Sequence, residues 1–162
     1  GLEQKLRAEG IEFLRAKVGD RYIMEMLQAG GWSLGGESSG HIICLDLTTT
    51  GDGIISALQV LEAMLTRSVP LSVLTAGMQM FPQKLVNVRL PCRAEGGFPP
   101  AVHAAVAEVE NRLNGEGRVL LRPSGTEPVI RVMVEGRETA LVETLVAELA
   151  EAVRASLSAT AP

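Results

Sequence analysis

Aromatic residues are scarce: Phe, Tyr and Trp together make up 3% of the 162-residue chain. The core must therefore be aliphatic, and few rings are available to stack on bases or sugars. Cysteine is rarer still. Cys44 and Cys92 lie far apart and lack metal-ligand spacing, which excludes a disulfide scaffold and a zinc module. Cys44 sits in the apolar run HIICLDL and is expected to be a buried thiol. The chain has only two histidines, so no histidine-rich metal site is expected. No stretch approaches the roughly 18 uninterrupted apolar residues of a membrane span, and GLEQKLRAEG is no signal peptide. Positive charge is dispersed and the net charge is −4, which argues against a non-specific nucleic-acid binder. A reducing, cytoplasmic setting without membrane or nucleic-acid partners is the expectation.

What is present is an ordinary globular balance, 46% hydrophobic and 21% charged, long enough for one large domain or two small ones. The chain begins at Gly1, without methionine and inside a helical pattern, so it reads as a piece of something longer. Spacing predicts a helix over 2–9, a strand over 11–16 and a helix over 20–29 closed by Gly30 and Gly31. Strand-like runs at 32–34 and 41–47 flank the loop GGESSG. A helix over 53–67 follows, with Asp52 as its N-cap. Its apolar residues cover most of the circumference, which predicts burial on more than one side. This alternation of helix and strand is the mark of an α/β layer.

The second half has a different grammar. A strand over 85–90 puts Val86, Val88 and Leu90 on one face, and a Gly/Pro-rich loop over 91–100 follows. Val102, Ala105, Val106, Val109 and Leu113 form one helical stripe, ended by Asn114-Gly115-Glu116-Gly117. Strands over 118–121 and 129–135 flank RPSGTEP, and a last helix over 139–157 aligns Val142, Leu145, Val146, Leu149 and Val153. This makes an α+β unit with its helices on one sheet face. The boundaries read as 1–70 for the α/β domain, 71–83 for a hinge or linker and 84–162 for the smaller α+β domain.

Three stretches could carry chemistry. In RPSGTEP, Gly125 permits close backbone approach, Ser124 and Thr126 offer hydroxyls, and Arg122 offers a fork suited to phosphate. Arg131 has the parity of Val129 and Met133, so it faces away from a core formed by Ile130, Val132 and Val134. The competing reading is a solvated hairpin whose hydroxyls satisfy their own turn. In GGESSGH, Glu37, Ser38, Ser39 and His41 suit sugar hydroxyls or an amine, or are simply turn polars and a strand-start histidine. In KVGDRY, Gly19 stands before a helix N-terminus, and Asp20 is either a candidate substrate contact, together with Arg21, or the N-cap. TGDG has one carboxylate and is expected to be a helix start, not a Mg²⁺ loop.

Together KVGDRY, GGESSGH, TTTGDG, MFPQ and RPSGTEPVIRVMVEG resemble, in order, the carboxy-terminal part of the α-D-phosphohexomutase superfamily. KVGDRY and TTTGDG point to its bacterial glucosamine branch. The resemblance implies part of domain 3, an α/β domain, followed by domain 4 with a TBP-like sheet and two helices. The full enzyme would have four domains around one cleft and act as an isomerase. It would convert glucosamine 6-phosphate to glucosamine 1-phosphate through a phosphoserine and glucosamine 1,6-bisphosphate, with Mg²⁺ on an Asp-rich loop. By this resemblance Glu37, Ser39 and His41 bind sugar hydroxyls, and Arg122, Ser124, Gly125 and Thr126 grip the phosphate that is not transferred; Arg131, by its strand parity, is expected to approach the same anion. No serine loop of the TR-x-SG type and no DGD-x-D loop occurs in the chain. Catalytic and metal residues are therefore expected outside it, and the chain alone is expected to be inactive. Implied partners are a phosphosugar, the missing amino-terminal domains and a second copy in a homodimer. A free-standing sugar-phosphate-binding module is the alternative.

Overall fold

The computed structural model describes residues 1–91 and 97–158. Cys92 and the middle of the loop expected over 91–100 lie outside the described residues. The chain divides into two units, Gly1–Gln79 and Met80–Pro162.

In the first unit, helices α1 (Leu2–Ala8) and α2 (Asp20–Gly30) precede strands β1 (Leu34–Gly36) and β2 (Ile42–Cys44). Helices α3 (Gly53–Arg67) and α4 (Leu71–Thr75) follow. Ile23 and Leu27, one turn apart on α2, bury against Ile43 of β2. The antiparallel pair β1–β2 lies so close to α2 that a Cβ on Gly35 would stand 2.5 Å from Ile23 Cγ2. Asp52 caps α3 as expected, its carboxylate accepting from the Ile54 and Ile55 amides at 2.8 and 3.0 Å.

Three expectations for this unit are corrected. Residues 11–16 form no strand, because the one sheet among the described residues of the unit is β1–β2, which offers them no ladder. Helix α3 buries no residue: Ile54 is 75% and Leu65 79% exposed. A two-stranded sheet and a five-residue helix present too little surface to cover so apolar a cylinder. Cys44 is half-buried, not buried, because it ends a strand at the margin of this small core.

The second unit is an α+β layer. Strands β3 (Gln83–Arg89), β4 (Gly117–Pro123) and β5 (Val129–Gly136) form an antiparallel sheet in the order β3-β5-β4. Helices α5 (Pro100–Leu113) and α6 (Thr139–Ser158) pack on one face. Pro100 suits the first turn of α5, where its missing N–H costs nothing. Val88, Ile130, Val132 and Val134 meet Val102, Val109 and Leu113 of α5 and Val142, Leu145, Val146, Leu149 and Val153 of α6. The helical stripes and strand parities read from the sequence are the ones that build this core.

One close approach was not legible beforehand. Gly117 and Gly136 face each other across β4 and β5. A Cβ on Gly117 would lie 2.3 Å from the Glu135 carbonyl oxygen and 2.8 Å from Leu113 Cδ2. Gly117→Ala is therefore expected to destabilise the fold by about 1–3 kcal/mol, through overpacking against backbone. Gly125→Ala, with nothing within 4 Å, is expected to stay within about 0.5 kcal/mol of the parent. Urea unfolding of the two variants measures the difference.

Candidate functional site

Each unit brings one set of polar groups together. In the first, residues 37–41 close a turn in which the Glu37 amide donates to the His41 carbonyl at 2.9 Å and the Gly40 amide to the Glu37 carbonyl at 3.1 Å. The turn holds Glu37, Ser39 and His41 side by side. Glu37 Oε1 accepts from the Gly19 amide at 2.7 Å, which ties the loop to the N-terminus of α2. The Ser39 hydroxyl stands 3.0 Å from both Glu37 Oε2 and His41 Nδ1. One hydroxyl has one proton, so donating to the carboxylate leaves Ser39 Oγ to accept from His41 Nδ1–H.

Asp20 is not the N-cap. That position belongs to Gly19, whose φ of 126° favours glycine, while Asp20 is the first helical residue and no side chain caps the helix. Released from capping, the Asp20 carboxylate sits 3.8 Å from His41 Nδ1, the same distance as Glu37 Oε2. A hollow of about 300 Å³ adjoins, lined by Asp20, Arg21, Thr49, Thr50 and Gly51 among others. Arg21 reaches it from the outer side of α2, where its Nε donates to Glu25 at 2.7 Å. Thr49, Thr50 and Gly51, of the TTTGDG stretch that leads into α3, thus belong to the lining of this hollow. A Cβ on Gly51 would stand 3.5 Å from His41 Cβ and 3.8 Å from Asp20 Oδ2, which places this loop beside the site.

Asp20, Glu37 and His41 form a group of three possible metal ligands whose donor atoms lie within 4.8 Å of one another. They do not fit Mg²⁺. That ion demands a tight octahedron of oxygens, whereas one donor here is an imidazole nitrogen and Glu37 Oε1 is already committed to Gly19. The set suits hydroxyl and amine donors instead.

In the second unit, β4 and β5 place Arg122 and Arg131 directly opposite each other. Both are half-buried and share the sheet face away from the helices. Like charges directly opposite across strands are destabilising, and among the described residues neither has an ion-pair partner. In the loop, Ser124 Oγ accepts from the Thr126 and Glu127 amides at 3.4 and 3.3 Å, distances longer than a good N–H···O bond. Those amides converge on one point, as in a backbone anion nest. Gly125 has no positive φ, and a Cβ there would have nothing within 4 Å among the described residues. Among the described residues, neither strain nor crowding calls for glycine at this position.

The sequence compares closely with known proteins. A model of phosphoglucomutase/phosphomannomutase α/β/α domain III matches residues 1–81, and one of the C-terminal domain of the same proteins matches residues 85–152. A phosphoglucosamine mutase from Alcanivorax borkumensis is 58% identical over 98% of this chain, and one from Thioalkalivibrio sulfidiphilus is 60% identical over 95%. The chain spans 36% and 35% of those proteins. A solved N-acetylphosphoglucosamine mutase of Aspergillus fumigatus, in complex with GlcNAc-6P and magnesium, matches with a TM-score of 0.59 at 25% identity. That match covers 67% of this chain and 22% of that one. No helix among the described residues is long and apolar enough to cross a membrane.

The Gly19 amide, and after it the Ser39 hydroxyl, hold the Glu37 carboxyl below its ordinary range. Folding thus favours the carboxylate. This contribution to stability is present above the ordinary pKa of about 4.3 and is lost as pH falls through the lower folded value. A pH titration followed on the Gly19 amide resonance is expected to show a midpoint below about 4.3. A midpoint at or above it contradicts the bond.

Proposed function

We propose that this chain, which belongs to the phosphoglucomutase/phosphomannomutase family, is the carboxy-terminal substrate-binding part of a phosphoglucosamine mutase. The whole enzyme would interconvert glucosamine 6-phosphate and glucosamine 1-phosphate in the cytoplasm, as an isomerase. The observation that carries this reading is the identity of 58–60%, over nearly the whole chain, to proteins of that name. The geometry supports it with two complementary sets of groups: acceptors and donors suited to a sugar in one unit, and in the other two guanidiniums without an ion-pair partner among the described residues, beside amides that converge on Ser124 Oγ.

In this reading Glu37, Ser39 and His41 bind sugar hydroxyls, and Asp20 and Arg21 stand at the edge of the same site. Arg122, Ser124, Gly125 and Thr126, with Arg131, hold the phosphate that is not being transferred. Residues 71–83, of which α4 forms the first part, join the two functions. The nucleophilic phosphoserine and the Mg²⁺ site belong to the remaining domains of the polypeptide, its partners in the reaction. Glucosamine 1,6-bisphosphate is the intermediate. An anchor that recognises a phosphate dianion, and not one particular carbon, lets the sugar be held with either end toward the phosphoserine. Positioning of this kind supplies much of the catalysis in phosphoryl transfer.

The test is Arg122→Ala in the intact polypeptide that carries this sequence. Loss of a charge-assisted contact is expected to lower kcat/KM for glucosamine 6-phosphate about 10- to 100-fold. An unchanged kcat/KM contradicts the anchor.

A further inference from the structure

The described arginines of the second unit fall into two groups. Arg112, Arg118, Arg137 and Arg154 each pair with a glutamate: Glu148, Glu135, Glu116 and Glu151. Among the described residues, Arg89, Arg122 and Arg131 have no such partner, and the glutamate of the RPSGTEP loop, Glu127, pairs with none of them. The three also share a face. Val88 is fully buried beneath the helices, so Arg89, its neighbour on β3, projects to the opposite side, as Arg131 does. The register aligns two adjacent rows there. One runs Arg122, Arg131, Asn87, and the other runs Ser124, Val129, Arg89, with the Ser124 amide donating to the Val129 carbonyl at 2.8 Å. The Leu90 amide donates to the Pro128 carbonyl at 2.9 Å, which fastens the end of β3 to the RPSGTEP loop.

The geometry points to Arg89 as a third cation of the phosphate cradle, reaching from the edge strand toward the anion held by Arg122, Arg131 and the loop. This rests on the phosphate-binding reading above and extends it to a residue outside the loop motif. Strands lie about 4.8 Å apart, so Arg89 and Ser124, one on either side of Val129, are separated by a span that a long side chain and a phosphate can bridge. Clustering like charges costs stability. A bound dianion turns that cost into affinity.

The test is calorimetric titration of the intact polypeptide with inorganic phosphate, comparing the parent with Arg89→Ala, Arg89→Lys and Arg122→Ala. Arg89→Ala is expected to weaken phosphate binding about tenfold, as the loss of one charge-assisted contact does. Arg89→Lys should keep part of the affinity, and the thermal midpoint of Arg89→Ala in phosphate-free buffer should not fall, since repulsion is relieved. Weakening by Arg122→Ala but not by Arg89→Ala overturns the role of Arg89 and leaves the cradle standing. Weakening by neither, or no phosphate binding by the parent, overturns the cradle itself and the inference with it. Weakening by Arg89→Ala with a lowered midpoint, unrelieved by lysine, makes Arg89 a structural residue and also overturns the inference.

Discussion

Successive side chains on a β-strand point to opposite faces. Burying Ile130, Val132 and Val134 under α5 and α6 therefore commits Arg131 to the far side of the sheet. Antiparallel register then brings Arg122 opposite it. The helical stripes of α5 and α6 fix which face is core, and no small adjustment of the sheet could move the guanidiniums to water at the rim. A slip by one residue would bury the arginines and expose the valines together. The charges that the proposed function needs are held in place by the apolar packing on the other side.

That arrangement is costly on its own, and a bound dianion would make it favourable. Half-buried guanidiniums facing each other repel, and the long contacts from the Thr126 and Glu127 amides to Ser124 Oγ are weak substitutes for stronger acceptors. A phosphate would relieve both at once, with little reorganisation. The loop proposed to bind the sugar is built differently. Its carboxylate, hydroxyl and imidazole are already bonded to one another and to Gly19, so its acceptors are oriented before any sugar arrives. In the proposed enzyme, strong non-directional charge holds the phosphate, while oriented hydrogen bonds read the sugar.

Much of the second unit was legible because its apolar residues follow helical and strand periods closely. Val142, Leu145, Val146, Leu149 and Val153 are all buried, and the parity argument placed Arg131 correctly. The same parity, applied to LVNVR, would have put Asn87 and Arg89 on the arginine face, but those residues lie outside any motif. The first unit was harder to read. Apolar pattern marked α3 as a helix but could not say what covers it, since pattern records a need for burial and not its partner. The strand-like stretch IEFLRA at 11–16 lacked a neighbouring strand among the described residues, and strands exist only in pairs. Asp20 illustrates a local ambiguity: acid before a helix reads as a cap, but Gly19 takes that position because its φ suits glycine alone.

The most direct measurement is an amide NMR titration of this chain with glucosamine 6-phosphate, with inorganic phosphate in parallel. Shifts are expected at Ser124, Gly125 and Thr126 with both ligands, and at Glu37, Ser39 and His41 with the sugar phosphate alone. Shifts at the GESSGH loop with inorganic phosphate, or sugar-phosphate shifts that miss the RPSGTEP loop, would contradict the division of labour between the two units.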